Sequence, residues 1–169
     1  MSPHFRSALI AAALAGAPAI AMADLSQTDR DFIEQAAMGG HEEVSAGQSA
    51  AEGDNSAVAA FGRQMVEDHT KMNDELASIA KSKGVTPPDS ASLMQQAKTA
   101  ATGILPGATF DRTYINTQVE DHKTTLELLQ NEAANGNDPD LKAFAQKYVP
   151  MIQEHLTEAE NVQQQLGQD

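Results

Sequence analysis

Histidine and its acidic neighbours carry the chemistry available to this chain. His41, His69, His122 and His155 fall in four separate segments, and three of them directly follow an acid: Asp68-His69, Asp121-His122 and Glu154-His155. His41 precedes Glu42-Glu43. Imidazole and carboxylate together hold divalent transition ions, so a converging set of this kind would suit Zn, Fe, Mn, Ni or Cu(II). Spacing decides whether they converge. His69 stands four residues after Met65 and three before Met72, and His155 stands four after Met151 and four before Ala159. Positions three and four apart share a helix face, which places both imidazoles on apolar stripes. His122 aligns with Ile115, Val119, Leu126 and Leu129, Asp121 with Phe110, Tyr114 and Leu128, and Glu43 returns to the face of Phe32. Burying an unpaired charge costs several kcal/mol, so inward groups of this kind must pair or bind a cation.

The candidate ligands are therefore Glu43, His69, His122 and His155, with Asp68, Asp121 and Glu158 as alternates. An acid next to a histidine is turned about 100° away from it on a helix. Asp68, Asp121 and Glu154 accordingly point inward or form a solvated rim. One inward histidine is usually a hydrogen-bonded core residue; three on separate helices, with acids turned the same way, bring a metal site into equal contention. The expectation is that His69, His122 and His155 meet across a core, with Glu43 beside them. Met65 and Met151 each precede a histidine by four, which would set thioether beside imidazole as Cu(I) prefers. Methionine is also the usual filler of irregular cores, and inward acids disfavour Cu(I).

These residues need helices to position them. Ser26, with Asp29 three residues on, reads as an N-cap, and a stripe through Phe32, Ala36, Gly39, Glu43, Gly47 and Ala50 stops at Gly53. A second stripe, from Val58 through Phe61, Met65, His69, Met72, Leu76 and Ile79, closes at Gly84 before Pro87-Pro88. A third runs from Phe110 to Gly136, and a fourth follows Asp138-Pro139 through Leu141, Phe144, Tyr148, Met151 and His155 to Leu166, with Pro150 inside it. The expected long helices are 26–53, 56–83, 110–136 and 139–166. Residues 85–109 between the second and third hold at most a short helix over 90–101. Period-2 alternation persists nowhere, so no strand is expected. Two closely joined helix pairs linked by one long crossover define an all-α four-helix bundle of two αα-hairpins. The hairpin turns repeat: Ala50-Ala51-Glu52-Gly53 and Ala133-Ala134-Asn135-Gly136 each lead to Ala-Phe, ending at Phe61 and Phe144.

Composition narrows the function. The net charge of −13 opposes a nucleic-acid or anionic-membrane surface. The absence of cysteine excludes disulfides, thiolate sites and a cysteine nucleophile. Five Phe, two Tyr and no Trp leave Ala, Leu, Val and Met to fill the core, as in close-packed helices. Residues 1–23 read as a cleaved signal peptide, with His4 and Arg6, an apolar Ala8-to-Ala15 run and an Ala21-Met22-Ala23 cleavage site. The expected product is a periplasmic or secreted single domain, 24–169, without a membrane span. No phosphate loop or Gly-x-Ser-x-Gly elbow is present, and oligomeric state and protein partners leave no mark.

Met65-Val66-x-Asp68-His69 with Glu75-Leu76, then Phe110-Asp111-Arg112-x-Tyr114, His122, and Pro150 ahead of His155-Leu156, resemble the DUF4142 family over roughly residues 27–166. Its members are exported bacterial proteins of uncharacterised function, and the resemblance implies a ferritin-like four-helix bundle. The di-iron pattern Glu-x-x-His is missing, because Val66 and Ile152 stand three before His69 and His155. The leading expectation is thus a bundle that binds a divalent transition metal and is not an oxidative di-metal enzyme. The alternative is a non-catalytic structural or interaction bundle whose metal-free polar core fixes register.

Overall fold

The computed structural model describes residues 25–167, so the leader assigned to residues 1–23 lies outside the described residues. Five helices follow in order: α1 Gln27–Ala51, α2 Ser56–Ser82, α3 Leu93–Gly103, α4 Gly107–Asn135 and α5 Pro139–Leu166. Among the described residues there is no strand. Local capping sets the boundaries. Ser26 and Asp29 form a reciprocal capping box, Asn55 accepts from the Ala57 and Val58 amides, and Asp138 accepts from Asp140 and Leu141. Pro139 occupies the first turn of α5, where its missing N–H is not needed.

Boundaries fall within two residues of expectation everywhere but at two helix starts. α4 starts at Gly107 instead of residue 110, because Gly107 takes φ +43° and the Thr109 and Phe110 amides close on the Pro106 carbonyl. A first turn needs no apolar residue, so hydropathy gives no sign of it. The short crossover helix α3 starts at Leu93, capped by Ser92 with Gln95 in a second capping box, and it buries no residue.

α1 packs mainly on α2 and α4 mainly on α5, with narrower α1–α4 and α2–α5 seams between the hairpins. The first hairpin is drawn tight at Gly47 and Gly62. A Cβ on Gly62 would stand 2.8 Å from the Gly47 carbonyl oxygen and from the Ala50 Cβ. The core divides into two apolar clusters along the bundle. One holds Phe32, Ile33, Met72, Leu76, Leu129, Leu141, Phe144 and Ile152. The other holds Val58, Phe61, Met65, Tyr114, Ile115, Val119, Leu156 and Ala159. Between Met65 and Met72 on α2, Val119 and Leu129 on α4, and Ile152 and Leu156 on α5, each helix inserts its histidine. The result is a ferritin-like helical bundle with a polar layer across its waist. Among the described residues, no helix is long and apolar enough to cross a membrane.

Candidate metal centre

The waist layer gathers His69 from α2, His122 from α4 and His155 from α5. They are 2%, 0% and 1% exposed. Their ring centroids form a nearly equilateral triangle with sides of 5.5, 5.6 and 5.5 Å. One ring nitrogen from each lies within 4.8 Å of the others. Nitrogens bound to one tetrahedral Zn ion are about 3.4 Å apart, from bonds of ~2.0–2.1 Å, so each imidazole need move inward by less than about 1 Å.

Hydrogen bonding fixes the tautomers of two rings. His122 Nδ1 lies 3.0 Å from the Gln118 carbonyl oxygen, which can only accept, so Nδ1 carries the proton and Nε2 a lone pair. His155 Nε2 lies 3.2 Å from Asp68 Oδ2, which places the proton on Nε2 and the lone pair on Nδ1. His122 Nε2 and His155 Nδ1 are buried without any partner, as are both nitrogens of His69. A buried polar atom left unpaired costs about 1–3 kcal/mol, so such a set calls for an occupant.

Charge state agrees. Burial, reinforced by the two neighbouring imidazoles, holds His69 well below the ordinary histidine range. Burial and His155 lower His122 to about 4, against the pull of the Gln118 carbonyl. Burial also lowers His155, although Asp68 opposes it. All three are neutral at pH 7, the protonation state that binds metal.

Glu43 stands beside this triangle. Its Oε1 is 3.8 Å from His122 Nδ1, the nitrogen that already serves the Gln118 carbonyl. Burial raises its carboxyl to about 8, keeping it largely protonated at neutrality. Asp68 is half-buried behind His155 and bonded to its outer nitrogen, the arrangement by which a carboxylate orients a ligating imidazole. Asp121 is half-buried and paired with Lys98, Glu158 is half-buried, and Glu154 is exposed. Met65 is fully buried in the second apolar cluster, whereas Met151 is half-buried against the first. His41 lies apart, half-buried in a surface groove with Asn73 and Asp74.

Sequence reasoning missed Gln118. It sits one turn before His122, where the i−4 carbonyl is within reach of any inward histidine, so the signal is general to helices and does not mark this one. Asp29, by sequence a capping residue, has a second role. It also accepts from the Asn137 and Asp138 amides at 2.9 and 3.3 Å, tying the start of α1 to the α4–α5 turn.

Fold and waist together define a class: a ferritin-like bundle with three buried, convergent imidazoles in place of paired Glu-x-x-His motifs. Within that class, the sequence model of the family described as "Domain of unknown function (DUF4142)" matches residues 14–162, and the chain belongs to this family. No curated protein matches. Among solved structures, the chain is similar to the crystal structure of a DUF305 fragment from Deinococcus radiodurans, at 12% identity and a TM-score of 0.73. That match covers 86% of this chain and 99% of the fragment. At such low identity the likeness concerns the fold alone.

Proposed function

We propose that this chain is an exported bundle protein that binds one divalent transition-metal ion through His69, His122 and His155. The observation that carries the reading is a buried layer in which three neutral imidazoles bring ring nitrogens within 4.8 Å of one another and leave four ring nitrogens without a partner. A core built only to fix register would gain from a closed hydrogen-bond network, and these rings do not bond to one another. Three imidazoles suit Zn, Cu, Fe or Ni, and three nitrogen ligands leave a fourth position free for water or another small ligand. Met65 and Met151 lie in opposite apolar clusters, which favours packing over a thioether site. Export is supported by the Ala21-Met22-Ala23 sequence ahead of Asp24. Binding is what the donor set supports, since the carboxylate bridges of di-iron chemistry are missing.

The test is metal content of untagged protein, with melting measured before and after chelation. An ion that binds only the folded state stabilises it by about 2.7 kcal/mol at 100 times its Kd. Substoichiometric metal together with identical melting in Zn(II), Co(II) and chelator would leave the register reading standing instead.

A further inference from the structure

α3 is amphipathic, but its two faces are reversed with respect to the bundle. Lys98, Thr99 and Thr102 turn toward α1 and α4, where they share the wall of a small cavity with Glu42 and Phe110. Lys98 Nζ lies 2.9 Å from Asp121 Oδ2. At about 100° per residue, Leu93, Ala97, Ala100, Ala101 and Ile104 fall together on the opposite side, with Met94 at its edge. α3 buries none of its residues. Leu93 is 85% exposed, Met94 80% and Ile104 85%, and these are the large hydrophobic side chains that stand exposed among the described residues. Three bulky side chains gathered on one helical stripe make a patch, and such a patch marks an interaction surface.

Charge and shape say what covers it. Residues 86–110 contain one acid, Asp89, and one base, Lys98, in a chain of net charge −13. The stripe is therefore a neutral band on an acidic molecule, the place where a second copy is repelled least. A basic partner is drawn to the acidic faces instead. A lipid surface is served by aromatic residues and a basic polar face; α3 has no aromatic residue, and its one cation is turned inward to Asp121. Leu93, Ala97, Ala100 and Ile104 stand at intervals of four, three and four, the spacing of a helix–helix seam. The stripe is also symmetric about its midpoint, with a bulky residue at each end and alanine between. Laid antiparallel on its own copy, it sets Leu93 of one chain against Ile104 of the other and Ala97 against Ala100. Alanine lets the two axes approach to about 8 Å, and the arrangement has two-fold symmetry.

We propose that α3 is the contact surface of a homodimer, in which the Leu93-to-Ile104 stripes of two copies pack antiparallel about a two-fold axis. α3 is only ~16 Å long, so the contact falls short of the ~1,200 Å² of a stable interface. The dimer is accordingly a weak one that forms and dissolves with concentration. The histidine layer takes no part in it, so the contact stands whether or not a metal binds.

Sedimentation of the untagged protein from about 10 µM to 1 mM should show a mass that rises from one chain toward two. Added salt should favour the dimer by screening the repulsion between two acidic chains, whereas a contact made by charge pairing would weaken. Leu93→Glu and Ile104→Glu should each keep the chain monomeric throughout, with melting unchanged because neither side chain is buried. Gln130→Glu adds the same charge at an exposed position on α4 and should leave association intact. Register is read by oxidation, since the chain has no cysteine of its own. Leu93→Cys mixed with Ile104→Cys should cross-link about ten-fold faster than either variant alone. A chain that stays monomeric at the highest concentration, or a dimer that survives Leu93→Glu, overturns the proposal. Faster cross-linking of either variant with itself does the same, as does a monomer that floats with phosphatidylcholine vesicles through this stripe, which would assign it to lipid.

Discussion

At the scale of single residues, a buried imidazole with no partner is a cost to the fold that only a ligand can offset. His69 bears this most heavily, since neither of its nitrogens is satisfied. His69→Leu should therefore stabilise the metal-free protein by about 1–2 kcal/mol, by removing two orphaned polar atoms from an apolar layer. The same change should abolish the stabilisation that Zn(II) or Co(II) gives the unmodified chain. Denaturant unfolding in chelator and in metal measures both effects, and a destabilised apo variant would point to imidazole packing instead. Asp68 acts one bond further out. By accepting from His155 Nε2 it fixes the tautomer and raises the basicity of Nδ1, so Asp68→Asn should weaken metal binding about 10–100-fold. Its half-exposed position predicts little change in apo melting. Competition titration against a chromophoric chelator reads the affinity, and an unchanged value would remove Asp68 from this role.

At the scale of the element, the parts legible in sequence are those set by neighbours in the chain. Ser26 with Asp29, Asn55, and Asp138-Pro139 announce helix starts because a cap needs only a few adjacent residues. The stripes through Met65, His69 and Met72, and through Ile115, Val119 and His122, announce inward faces for the same reason. Contacts between distant elements were not legible. Nothing local marks Asp29 as an acceptor for the α4–α5 turn, or Gln118 as the support for His122. Nor does anything local mark Asp121 as the partner of Lys98 on α3. Gly62 is the sharpest case, since its lack of a side chain has meaning only opposite Gly47. Gly62→Ala would set a methyl group 2.8 Å from a carbonyl oxygen and spread α1 from α2. Despite alanine's better helix propensity, it should destabilise by about 1–3 kcal/mol, as overpacking does. Urea unfolding checks this, and a stabilised variant would show that the hairpin yields cheaply.

For the whole molecule, the buried histidines and buried carboxyls titrate in opposing senses, which gives the metal-free protein an identifiable pH optimum. Above pH ~6.5 the unfolded imidazoles are already neutral, so they contribute no slope. Two carboxyls do. Burial raises Glu43 to about 8, and burial together with Asp29 raises Glu132 to about 7. Each holds a proton that its unfolded counterpart has released, so stability falls by up to about 1.4 kcal/mol per pH unit per group as pH rises toward those values. Below pH ~6.5 the unfolded histidines gain protons that the folded ones refuse, and stability falls in that direction also. Between about pH 6.5 and 4.5 these two carboxyls, joined by Glu42, which burial also raises, oppose the three imidazoles, which makes the decline gentle. Once the unfolded carboxyls protonate, the imidazole effect is unopposed down to about pH 4, the level to which His122 is lowered. The expected profile in chelator is a maximum near pH 6.5, a moderate alkaline slope ending near pH 8, and a steep acid limb. Glu43→Gln should flatten the upper part of the alkaline slope and leave the acid limb steep, because that limb belongs to the imidazoles. Unfolding free energies at half-unit pH intervals decide it: an alkaline slope that is the same in both proteins would mean that Glu43 is ionised in its buried position.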